Sequence, residues 1–97
     1  MTGSPRFHRA PEGYAETEAM LFDARELLPP DPFVRTLELL ERLEGGRWVR
    51  LLLYRVPWPL FEAIEPDGWT HREYVHDDGT VEVHLFRPLN GIETNAR

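Results

Sequence analysis

Ninety-seven residues suffice for one domain and are too few for two. The net charge of −6 argues against nucleic acid or an anionic membrane as partner, since both require a basic surface. The absence of cysteine removes disulfides, thiolate nucleophiles, persulfide carriage, Cys-ligated zinc and iron–sulfur clusters together.

From Met1 to Glu18 the chain reads as a flexible tail, rich in Pro and Gly and without a sustained apolar period, although Phe7 and Tyr14 are able to dock on the body. No secretory h-region is visible in it, and no apolar run approaches the ~20 residues of a membrane span, so a cytoplasmic location is expected. Residues 88–97 read as a second tail, which leaves residues 19–87 as the folded domain.

Ala19 to Asp23 is a short apolar run of strand length. Pro29-Pro30 excludes both helix interior and sheet ladder, so Glu26 to Pro30 is a loop. Asp31-Pro32 then announces a helix, with Asp31 as N-cap and Pro32 at the first helical position. Phe33, Val34, Leu37, Leu40 and Leu43 form its apolar stripe, and Gly45-Gly46 stops it. Trp48 to Tyr54 is a strand with Val49, Leu51 and Leu53 on one face. Pro57-Trp58-Pro59 leads stiffly into a shorter helix through Leu60, Phe61 and Ile64, ended by Pro66-Asp67-Gly68. Trp69 to His76 and Thr80 to Phe86 are strands joined by the hairpin signal Asp77-Asp78-Gly79. The order is β-α-β-α-β-β, with the first two strands parallel and both helices on one face of a four-stranded sheet.

At Phe22 to Pro32 the chain resembles the TusA-like (SirA-like) sulfur carriers, whose pattern is Leu-Asp-x-Arg-Gly-Leu-x-Cys-Pro-x-Pro followed by a helix. Asp23, Arg25, Leu27, Pro30 and Pro32 match; Glu26 replaces the glycine, and Pro29 stands where the carriers have cysteine. It is more similar to the uncharacterised bacterial branch that lacks this cysteine, through Pro57-Trp58-Pro59-Leu60 and Gly68-Trp69. The resemblance covers about Leu21 to Arg87. It implies an α+β two-layer sandwich with mixed-sheet order 1-2-4-3, and it implies no activity. A cysteine just before a helix N-terminus has its thiolate stabilised there; Pro29 has no nucleophile, so the scaffold is expected without the transfer chemistry.

Each candidate site competes with an ordinary structural role. Arg25, Asp31 and Arg35 at the first helix start are candidate anion ligands, against which Asp31 already fills the anion position as a cap. His71, His76 and His84 invite a metal reading, but strand alternation puts His71 and His76 on opposite faces, and His8 lies in the tail; no metal and no cofactor are expected. Ser4 is the only serine, so no Ser-His-Asp triad is available, and no Gly-rich phosphate loop is present.

The open sheet face carries the partner surface. If Val49, Leu51 and Leu53 point to the core, then Trp48, Arg50, Leu52 and Tyr54 point away from it. A three-residue hairpin turn adds Tyr74 and Phe86 to that face, with Thr70, Arg72, His76, Glu82 and His84, and sends Val75, Val81, Val83 and Leu85 to the core. Trp, Tyr, Phe and Arg are enriched at interface centres. The function expected is therefore a non-enzymatic interaction domain that binds a protein partner or a second copy through this face, with Trp48→Glu breaking the contact and not the fold. The alternative is a small-ligand, anion or metal-binding domain that uses the loop before the first helix or the hairpin histidines.

Overall fold

A computed structural model describes residues 6–88. Four strands and two α-helices follow in the expected order: β1 (Ala19–Asp23), α1 (Asp31–Arg42), β2 (Trp48–Leu53), α2 (Trp58–Ile64), β3 (Thr70–Val75) and β4 (Val81–Phe86). The sheet order is β1-β2-β4-β3, with β1 and β2 parallel and the other pairs antiparallel. The result is an α+β sandwich. No helix among the described residues is long and apolar enough to cross a membrane.

The hairpin explains the register. His76 N–H donates to Thr80 O at 2.8 Å, Gly79 N–H donates to His76 O at 3.0 Å, and Gly79 has φ +92°. This is a type I turn closed by a left-handed residue, a conformation that glycine takes without a Cβ clash. It pairs Val75 with Val81, Tyr74 with Glu82, Arg72 with His84 and Thr70 with Phe86, as the three-residue turn requires. On the core side Val49, Leu51, Leu53, Val81, Val83 and Leu85 pack with Leu40, Leu60, Phe61 and Ile64 from the two helices.

Several details differ from expectation. Asp31 is not the N-cap: α1 begins at Asp31, Pro30 occupies the cap position, and no side chain caps the helix. The helix ends at Arg42, short of Gly45-Gly46, and Gly46 takes its positive φ in the turn to β2. Val34 falls off the apolar stripe and is exposed. Thr36 is buried instead, its hydroxyl donating to Pro32 O at 2.6 Å. Val75 is exposed although it is on the core side. The α2 residue Phe61 stacks on His71, and Val75 lies about 13 Å farther along the strand.

The larger difference is on the face expected to be open. From Arg6 onward the N-terminal segment lies against the sheet and is not a free tail. Trp48 Nε1 donates to Ala15 O at 2.9 Å, Tyr14 OH donates to Arg87 O, and Tyr14 packs edge-on to Phe86 with ring centroids 6.0 Å apart. Pro11 is buried, and a short 3-10 turn at Glu16–Glu18 leads into β1. β2 and β4, the two central strands, are therefore buried on both faces. Residues 1–5 and 89–97, which include most of the expected C-terminal tail, lie outside the described residues.

Two outcomes follow. Trp48 is fully buried, so Trp48→Glu is expected to cost at least about 3 kcal/mol and to unfold the domain in a denaturant titration at constant oligomeric state. Asp31→Ala is expected to cost only about 0.3–0.5 kcal/mol, since it removes a charge near the helix N-terminus and no cap hydrogen bond.

Candidate functional site

The covered sheet face is organised around Glu82. β4 alternation turns this carboxylate away from the helices and under the N-terminal segment, where it is fully buried. Its Oε1 lies 2.8 Å from His76 Nε2, and its Oε2 lies 2.7 Å from His84 Nε2 and 3.0 Å from Arg50 Nε. The backbone N–H of His8 donates to both oxygens, at 3.1 and 3.0 Å. Arg50, from β2, continues the network: its NH2 group donates to His8 O at 2.7 Å and to Glu16 Oε1 at 3.1 Å. The guanidinium sits between two aromatic rings, 4.6 Å from the Phe7 centroid and 4.8 Å from that of Trp48. The His8 ring stacks on Tyr74 at 3.9 Å.

Burial alone would raise the pKa of Glu82. Hydrogen bonds from His84, His76, the His8 amide and Arg50 outweigh it and hold the carboxyl below its usual value. Burial lowers the pKa of His84 and prevails over the opposing pull of Glu82. Both shifts describe one state. An ionised Glu82 only accepts, so His84 Nε2 carries the proton that it donates. The neutral ring then leaves Nδ1 as a bare acceptor, and that nitrogen is buried with no partner. Protonating it would create an N–H with nothing to receive it.

A second feature lies at the end of the sheet where both helices begin. Here an apolar cleft of about 480 Å³ is walled by Pro29, Pro30, Pro32 and Phe33 from the α1 start, by Leu51 and Leu53 from β2, and by Val56, Pro57, Pro59 and Leu60 from the α2 start. Thr36 and Arg55 complete the wall.

The expected anion ligands do not converge. Arg25 pairs with Asp23 at 2.7 Å and reaches Thr80 near the hairpin, whereas Arg35 lines a hollow with Phe22, Glu38, Leu39 and Arg42 along α1. Asp31 stays exposed at the helix start. Of the expected partner surface, Trp48, Arg50, Leu52 and Phe86 are buried beneath the N-terminal segment, and Tyr74 is half-covered by His8. Tyr54 alone is exposed, because it lies beyond the end of β2. The hairpin histidines separate as alternation requires: His71 stacks on Phe61 on the helix side, while His76 and His84 meet at Glu82. Sequence reasoning missed His8. Its partner Glu82 is 74 residues away, and its contact with Glu82 is through the backbone, which no side-chain pattern reveals.

The pH dependence follows from the two shifts. The unfolded chain takes up a proton on His84 near pH ~6.5, and the folded protein takes it up only at lower pH. Stability from this group is complete above ~6.5 and is lost as the pH falls from there through the folded value. Glu82 acts in the same direction in a lower window, its contribution complete above ~4.3 and lost as the pH falls through its depressed folded value. The melting temperature is therefore expected to fall between pH 7 and pH 5, and His84→Gln to flatten that fall. Equal slopes in both proteins would contradict the assignment of a buried neutral His84.

Comparison with known proteins agrees with this fold. The sequence profile of a family described as uncharacterised conserved protein (DUF2249) matches residues 21–87. A crystal structure of the SirA-like protein from Desulfitobacterium hafniense superimposes with a TM-score of 0.58 at 26% sequence identity, over 67% of this chain and 92% of that one. No curated protein matches.

Proposed function

The chain belongs to the DUF2249 family of uncharacterised conserved proteins, and we propose that it is a non-enzymatic binding domain of the SirA-like type that receives an apolar segment of a partner protein. The receiving surface is the cleft at the two helix starts, in place of the sheet face now closed by the N-terminal segment. One observation carries this reading. Six large hydrophobic side chains are exposed among the described residues, and three of them, Leu28, Val34 and Trp58, belong to the two helix starts that wall the cleft. Leu28 is 77% exposed and Trp58 58% exposed. Exposed apolar area concentrated around a concavity is the mark of a binding surface, whereas scattered exposed residues need no explanation.

The wall chemistry supports a peptide occupant. Proline contributes apolar surface without an N–H to satisfy, and Arg55 offers donors for main-chain carbonyls of an extended segment. Pro29, at the position where the carriers have cysteine, is part of this wall. We therefore place the chain in the branch without the carrier cysteine, in which that corner makes contacts and transfers no sulfur. The net charge of −6 supports a protein partner over nucleic acid, and the cytoplasm is the compartment proposed.

Site-specific photo-crosslinking in cells tests the reading. A photoreactive phenylalanine analogue at Trp58 or Val34 is expected to give an adduct with one and the same protein, and Leu28→Glu is expected to abolish it. The same probe at the exposed helix position Glu41 is expected to give none. Adducts that are equally strong from Glu41, or adducts indifferent to Leu28→Glu, would refute the cleft as the docking surface.

A further inference from the structure

Where the N-terminal segment crosses the hairpin, His8, His76 and Glu82 come together with ligand atoms all within 4.8 Å of one another. We propose that these three residues form a binding site for a divalent first-row transition ion of the zinc or ferrous type, held by two imidazoles and one carboxylate with its remaining positions open to solvent. The site lies on the opposite side of the sheet from the apolar cleft and is independent of it.

Donor chemistry comes first. Two imidazoles and a carboxylate suit zinc, where three protein ligands leave a fourth position open, and equally non-haem ferrous iron. Geometry agrees. Ligand atoms on a metal with bonds of about 2.0–2.1 Å stand about 3 Å apart, and His76 Nε2 and Glu82 Oε1 are already 2.8 Å apart. A metal takes the place of the proton that these two atoms now share. His8 has to close the remaining distance, and its exposed ring is free to turn from its stack on Tyr74. Its backbone is held beside the site, since Glu82 accepts the His8 N–H and Arg50 donates to the His8 carbonyl at 2.7 Å.

The surroundings are those that a ligating carboxylate needs. His84 and Arg50 donate to Oε2 of Glu82, which fixes its plane and leaves Oε1 turned to His76. Outer hydrogen bonds of this kind set both orientation and affinity at metal sites. Space for exchangeable ligands is present as well: His76 borders a hollow of about 280 Å³ with Arg6, Phe7, Asp77 and Asp78. Bound metal would join the N-terminal segment to the hairpin tip, so that segment and sheet are held by coordination as well as by hydrogen bonds.

The test uses the full chain, tag-free, with Zn²⁺ in calorimetry and Co²⁺ in visible absorption. One equivalent is expected to bind, with a cobalt d–d band. His8→Phe keeps a ring to stack on Tyr74, and His76→Gln keeps a hydrogen bond to Glu82, while each removes one imidazole ligand. Each is expected to weaken binding at least about tenfold, with melting curves near that of the parent. His71→Ala, on the other face, is expected to leave binding unchanged. Absence of stoichiometric binding, unchanged affinity in both ligand variants, or loss of binding in His71→Ala would each overturn the site.

Discussion

A carboxylate cut off from water in the middle of a strand must find its hydrogen bonds inside the protein, and Glu82 imposes this on everything around it. Left on an open sheet face it would be solvated and unremarked. Covered, it needs donors from several directions at once. They come from β2 through Arg50, from β4 itself through His84, from the hairpin turn through His76, and from the N-terminal segment through the His8 amide. The segment thus supplies one of the hydrogen bonds that its own presence makes necessary. Removing a single partner leaves a buried charge incompletely compensated, which is far costlier than losing an exposed ion pair. The interaction accounts for why β2 and β4 are buried on both faces in a chain with helices on only one.

The parts of this structure legible in the sequence are those governed by short-range rules. Strand alternation and the Asp77-Asp78-Gly79 turn determine the β3–β4 pairing residue by residue, because a three-residue turn closed by glycine permits one register. The proline pairs and the apolar stripe likewise mark where each helix begins and which side faces the sheet. The Asp31 cap failed for a reason just as local: a proline at position 30 takes the cap place and carries no side-chain acceptor. The β2 face of Trp48, Arg50, Leu52 and Tyr54 is too apolar for a plain solvated face, and the first three of these are buried while Tyr54 is exposed. A partner molecule is the expected cover, with the N-terminal tail through Phe7 and Tyr14 as the alternative, because residues 6–18 show no apolar period. They do not need one. They attach through backbone groups at His8 and Ala15 and through single side chains such as Phe7 and Tyr14, none of which produces a pattern in sequence.

The candidate site was hidden for the same reason. Histidine spacing along the hairpin separates His71 from His76 by alternation and brings no further ligand to either. By sequence alone Glu82 belongs to the open face and His8 to a tail. The group becomes visible only when the segment is laid across the sheet, because two of its members are neighbours through the hairpin and the third arrives from 74 residues away. Ligand sets assembled from distant segments have no motif, and the physical signal available beforehand was the presence of Glu and His at alternate positions of a strand whose other residues are apolar.

The two faces of the sheet divide the chemistry of the domain. On the helix side every group near the cleft is apolar or a proline except Thr36 and Arg55, and Thr36 spends its hydroxyl on its own helix. A surface of this kind discriminates by shape and by exclusion of water, and it tolerates no buried charge. The opposite side concentrates ionisable groups and satisfies them with each other, so that its state depends on protons and, by the site proposed here, on metal. The strand β2 is common to both, with Leu51 and Leu53 facing the cleft and Arg50, in direct alternation, facing the polar cluster with Glu82 of the neighbouring β4. Proline residues form the helix start at the cleft, and the buried ionisable groups Arg50, Glu82 and His84 lie beneath the N-terminal segment on the other side of the sheet.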